Sequence, residues 1–286
     1  MRRMRSAALA WLCALAAGSA AAHDTWFTPL PPTPRGQLVL ALGTGTAYPR
    51  YEVAIAPQQL ADSGCLGEGV REKPLRDGVE LSLDGIRQWF ASAVNAPPVL
   101  ALRTGRPVSP AASVSCWVRL VPIDIGIDDP TVDVYLDEVQ ALPAVRERWA
   151  ALKARGVRWQ ETYVKHARIE IDGEGDTAAV ATPALPALGL DLRMEAARRP
   201  LRAGDSVRFQ LLRDGQPLAG QPLQLVGDGS GVGVWRRTDA EGRLELRVPA
   251  AGRWLLRGTE LRAAPDGSDR WDSRFVTLAF EVKPAP

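Results

Sequence analysis

Histidine and cysteine are scarce in this chain, and each scarcity narrows the chemistry open to it. Of 286 residues only two are histidine, His23 and His166, and three are cysteine, Cys13, Cys65 and Cys116. No Gly-x-Ser-x-Gly elbow occurs and neither histidine stands in a catalytic sequence context, which argues against a Ser-His-Asp hydrolase. Charge of one sign is also lacking. The 35 basic residues face 33 acidic ones, and no basic patch interleaved with aromatics marks a nucleic-acid surface. Gly43-Thr44-Gly45-Thr46 is not followed by Lys-Ser or Lys-Thr, so it reads as a turn rather than a phosphate cradle. Asp124, Asp128, Asp129, Asp133, Asp137 and Glu138 lack the ordered spacing and central glycine of a calcium loop and read as a solvated surface. Past the first 17 residues no apolar run approaches the roughly 20 residues of a membrane span.

What is present begins with an export signal. Arg2, Arg3 and Arg5 form a positive start, Ala7 to Ala17 a short apolar run, and Ala20-Ala21-Ala22 a small-residue cleavage site. Residues 1–22 are therefore expected to be removed and the protein to be periplasmic, with His23 as its first residue. Bulky Trp11 and Leu12 before Cys13 argue against lipidation there. Cleavage takes the basic count from 35 to 32, so the mature chain is near neutral. It also leaves Cys65 and Cys116, which in an oxidising compartment most simply form one disulfide; two buried free thiols are the other reading.

The remaining chain of about 260 residues is rich in glycine and proline between short β-branched segments, a pattern of sandwiches rather than helical bundles. Strands are predicted over Gln37 to Leu42, Tyr51 to Ala56, Val79 to Leu83 and Val114 to Val121, with the bridge tying Cys116 to a loop around Cys65. One packing helix is predicted over Ala144 to Arg155, between Pro143 and Gly156. Glu161 to Ile171 alternates, with Tyr163, Ala167, Ile169 and Ile171 on one face and His166 on the other, more polar one. The Pro- and Ala-rich stretch Ala181 to Gly189 reads as a linker. Beyond it, strands over Ser206 to Leu212, Leu223 to Val226, Val234 to Arg237, Arg243 to Val248, Trp254 to Gly258 and Phe275 to Val282 suggest an immunoglobulin-like sandwich. The expectation is a mostly β protein, with a sandwich-like domain over 23–185 and an immunoglobulin-like domain over 190–286. Of the nine tryptophans the eight beyond the signal suit the cores of both, and equally sugar stacking.

His23 carries the most specific chemistry. A freed α-amine and the imidazole Nδ1 of the same residue close a six-membered chelate ring on a divalent metal. His166 would complete a three-nitrogen site suited to Cu(II) or Ni(II), and Asp24 could add an oxygen. The alternative is that cleavage merely exposes a histidine and that His166 is an ordinary strand residue.

Several motifs together resemble the DUF4198 family: His23-Asp24-Thr25-Trp26-Phe27, Glu161-Thr162-Tyr163-Val164-Lys165-His166-Ala167-Arg168, Arg202-Ala203-Gly204-Asp205, Thr238-Asp239-Ala240-Glu241-Gly242-Arg243 and Trp254-Leu255-Leu256-Arg257. That family is also described as periplasmic components of cobalt or nickel uptake systems. The resemblance implies an exported, mostly β protein with a link to transition-metal handling, and it carries His23 and Asp24 over as site positions. The leading expectation is a non-enzymatic carrier of one Cu(II), Ni(II) or Co(II) ion that delivers it to a membrane transporter. The rival is a metal-independent module that binds protein or glycan, and a copper-dependent redox enzyme ranks third.

Overall fold

The computed structural model describes residues 23–67, 70–72, 75–77, 99–174, 184–195, 200–228 and 233–285. The expected signal peptide, the expected strand Val79 to Leu83 and residues 181–183 of the expected linker lie outside these residues, while Pro186–Leu188 within that linker form one 3-10 turn. The chain is mostly β, as its alternating segments predict, and is built on one large sheet. That sheet runs β14 (Val234–Arg237), β13 (Pro222–Gly227), β16 (Gly252–Ala263), β17 (Trp271–Val282), β9 (Trp159–Ile171), β7 (Val114–Leu120), β3 (Leu60–Gly67) and β4 (Val70–Glu72), with β8 (Ile123–Ile127) beside the start of β9. β17 and β9 pair in parallel from Trp271↔Glu161 to Ala279↔Ile169, so one sheet carries strands from both sides of residue 185.

Successive side chains of a strand point to opposite faces, and each face of this sheet has its own cover. Leu255, Ala279, Ala167 and Ile169 pack with Trp26, Phe27, Leu40 and Leu102. The latter four belong to a second sheet of β1 (Asp24–Leu30), β2 (Gln37–Gly45), β6 (Leu100–Pro107) and β5 (Arg76–Asp77). Leu256, Val276, Leu278 and Phe280 pack with Leu190, Leu192, Phe209 and Leu246. These come from a third sheet of β10 (Leu190–Glu195), β11 (Ser206–Arg213), β12 (Gln216–Pro217) and β15 (Arg243–Arg247). β10 was not anticipated, although Leu190, Leu192 and Met194 alternate as a buried strand edge should.

A helical hairpin covers the far end of the first face. α2 (Pro143–Ala154) matches the predicted helix, and α1 (Asp129–Glu138), which was not predicted, carries most of the acidic stretch. Asp128 caps α1 by accepting from the Thr131 amide at 2.9 Å, and Val132, Tyr135 and Leu136 turn inward while Asp133 and Asp137 stay in solvent. The acids are thus solvated as expected, on a helix that their polarity concealed. Under this hairpin Trp159 stacks on Trp271 with centroids 4.7 Å apart, and both are fully buried with Trp26. These three tryptophans serve the cores.

Two further expectations are corrected. β2 continues through Gly43 and Gly45 instead of turning, because the glycines make room: a Cβ on Gly43 would strike the Tyr51 ring, and one on Gly45 the carbonyl of Arg50. Tyr51 to Ala56 forms no strand beyond a single bridge at Val53. Tyr51 instead turns into the core, stacks on Trp26 and donates from its hydroxyl to Thr28 Oγ1 at 2.8 Å.

Cys65 and Cys116 form a disulfide. They are cross-strand partners in β3 and β7, so Cys65 sits in a strand and not in the expected loop. The bridge is wholly buried and closes a loop of 51 residues' separation. Replacing both cysteines by serine should lower unfolding free energy by about 2–4 kcal/mol, because loop-closure entropy returns to the unfolded chain. Urea denaturation of the double variant against the oxidised protein measures this.

Candidate functional site

β1 pairs with β2 in the register Asp24↔Gly45, which sets His23 at the end of the strand beside Thr46. The Glu52 and Val53 amides both donate to the Thr44 carbonyl, at 2.8 and 3.0 Å, and hold Glu52 over the same end. His23 Nε2 lies 3.3 Å from Glu52 Oε2, with both side chains 38% exposed. Thr46 donates to the other carboxylate oxygen of Glu52 at 2.7 Å. The imidazole is thus open to solvent on one side and faces an oriented carboxylate on the other.

Asp24, next in the chain, points the opposite way and is buried. Its Oδ2 accepts from Arg257 at 2.7 Å, and Arg257 also grips Gln224 Oε1 through Nε and a terminal nitrogen. Burial pushes the Asp24 carboxyl above its usual range, against the pull of Arg257 and, more weakly, Lys165. Asp24 is committed to this ion pair rather than turned toward His23, so the expected oxygen ligand is an anchor for the start of β1.

His166 is not beside His23. Lys165 precedes it on β9 and lies on the Asp24 side of the sheet, over the rings of Tyr163 and Phe275 at 5.4 and 5.8 Å. Burial draws the Lys165 ammonium down to about 8. His166 therefore projects from the opposite face, where its Nδ1 lies 3.0 Å from the Phe275 carbonyl and its ring is 3% exposed. The expected three-nitrogen site does not form, because the large sheet stands between the two histidines. The alternation of β9 was read correctly, but its polar face is roofed by the third sheet. Arg168 on that face is equally buried, donating to Ser115 Oγ at 2.8 Å and to Asp191 Oδ1 at 2.5 Å.

Glu52 was absent from the residues singled out in the sequence. No spacing signal points to it, since it reaches His23 only through the β1–β2 pairing and the fold-back at Tyr51. Among the described residues no three of His, Cys, Asp and Glu gather into a metal-binding group, and no helix is long and apolar enough to cross a membrane.

Residues 131–259 match the model of a family described as a domain of unknown function, DUF4198. This is the family that the motifs resemble. The DUF4198 match opens within α1 and closes within β16, taking in the motifs from Glu161 to Arg257 and leaving His23 to Phe27 outside. A search of curated proteins gives no match.

The site generates a test of His166. Burial is the main cause that pushes its imidazole down to about 4, with Arg274 and Arg119 adding to it. In the unfolded chain the ring titrates near 6.5. Between these values protons bind the unfolded chain first, so the contribution of His166 to stability is full above about pH 6.5 and lost toward pH 4. Urea midpoints should show His166→Gln with a flatter fall over that window, by up to about 3 kcal/mol. Asp24, Glu161 and Asp172, whose raised carboxyls act in the opposite sense, are common to both proteins and cancel in the difference.

Proposed function

We propose that this is an exported periplasmic carrier that holds one divalent transition-metal ion through the α-amine and imidazole Nδ1 of His23. The observation that carries the reading is the Glu52 carboxylate 3.3 Å from His23 Nε2. A carboxylate accepting from Nε2–H fixes the tautomer that leaves the Nδ1 lone pair free, which is the usual support for a metal-bound histidine. Thr46 steadies that carboxylate in turn. The export pattern supplies the free amine, and two adjacent nitrogens in a six-membered ring favour Cu(II) or Ni(II) over harder cations. Asp24 and His166 are omitted from the ligand set because each is engaged elsewhere.

Two ligands from one half-exposed residue leave most coordination positions to water or to a partner's side chains. Such a hold suits transfer to a membrane transporter better than storage, and the link to metal uptake implied by the family resemblance agrees with it. The activity proposed is therefore carriage and not catalysis.

Intact mass and N-terminal sequencing of the secreted protein should find His23 as the first residue. Titration of that protein with Cu(II) or Ni(II) should then saturate at one equivalent and raise its melting temperature. His23→Ala should abolish the binding, and Glu52→Gln should weaken it about 10- to 100-fold. A different mature start, or one-to-one binding that survives His23→Ala, would overturn the chelate. No metal-dependent rise in melting temperature would favour the metal-independent module.

A further inference from the structure

The face of the large sheet that carries His166 is not wholly covered by the third sheet. Beyond β10, the exposed end of β9 and β17 floors a cavity of about 530 Å³, walled by the segment around Leu188 and Gly189 and by the turn joining β16 to β17. That volume lies in the range of small-molecule sites. Three guanidinium groups, Arg119, Arg270 and Arg274, line it.

Two of the three are neutralised. Arg270 donates to Asp124 at 2.8 Å, and Arg274 reaches Asp214 at 3.3 Å and Asp272 at 3.9 Å. The Arg119 side chain has no hydrogen bond or ion pair among the described residues, and its Nε is sealed from solvent without a partner. It stands in β7 opposite His166, in the register Arg119↔His166. A partly buried guanidinium left unpaired is costly. Of its two cross-strand neighbours, neutral His166 supplies no counter-charge and Asp62 makes no ion pair with it.

We propose that this cavity binds a small organic monocarboxylate, whose carboxylate pairs with Arg119 and whose apolar body lies along Val164, Leu188 and Pro265. The planar fork of arginine matches a carboxylate through two parallel hydrogen bonds, here from the two terminal nitrogens because Nε is sealed from the cavity. A phosphate dianion fits poorly, because Asp214, Asp266 and Asp272 share the cavity wall. The site is separate from His23 and does not depend on metal binding.

The test uses the whole mature protein and ligand-observed NMR with a series of monocarboxylates from acetate to phenylacetate, alongside phenylacetamide and inorganic phosphate. Expected is saturable binding that strengthens with the apolar body, with the amide and phosphate at least about tenfold weaker than phenylacetate. Arg119→Gln should weaken phenylacetate at least about tenfold without lowering the melting temperature. Val164→Phe, which fills the cavity and keeps the guanidinium, should also lose it. The proposal is overturned by no saturation with any monocarboxylate, by equal binding of amide or phosphate, or by unchanged binding in either variant.

Discussion

The parallel pairing of β9 with β17 is the constraint on which the rest of the molecule depends. A parallel pair needs a long crossover, and here the crossover is the roughly 100 residues between Ile171 and Trp271. Once made, the pairing leaves a single sheet with two faces, one for β1, β2 and the helical hairpin, the other for β10, β11 and β15. Every side chain of β9 then belongs to one environment or the other by its parity. Ala167 and Ile169 enter the core under β1, while His166 and Arg168 enter the layer under β10.

Polar anchors hold the layers in place where apolar contact alone would allow slippage. Arg168 bridges β9 to Ser115 of β7 and to Asp191 of β10, and Asp191 accepts in turn from the Leu185 amide, pinning the incoming chain. Asp24 and Arg257 do the same for the start of β1, helped by Thr277 donating to the Thr25 carbonyl. The second anchor matters for chemistry, because it fixes the strand end from which His23 emerges toward Glu52. A buried charge pair of this kind adds little net stability but penalises any arrangement that separates its members.

Much of the fold was legible locally. Alternation over Glu161 to Ile171 and the proline and glycine around α2 each state a backbone preference that tertiary packing did not overrule. Where local reading failed, a distant group was the reason. Gly43 and Gly45 signal a turn until Tyr51 claims the space beside them. The acids of α1 hide a helix because its buried side is only Val132, Tyr135 and Leu136. Half of the candidate site was legible: His23 declares itself through the export pattern, but Glu52, 29 positions on, does not.

The sequence by itself determined a mostly β chain, pointed to Cys65 and Cys116 as the pair to be bridged, and marked His23, at the expected end of an export signal, as a residue with chelating potential. These follow from composition, spacing and covalent chemistry, which act along the chain. Only the tertiary structure decided which groups meet. A period-two pattern says that His166 and Lys165 oppose each other, but not which face is covered. Layer stacking settled that, separating His166 from His23, committing Asp24 to Arg257 and leaving the Arg119 side chain over a cavity without a partner among the described residues, because such contacts join positions as distant as Asp24 and Arg257, 233 residues apart.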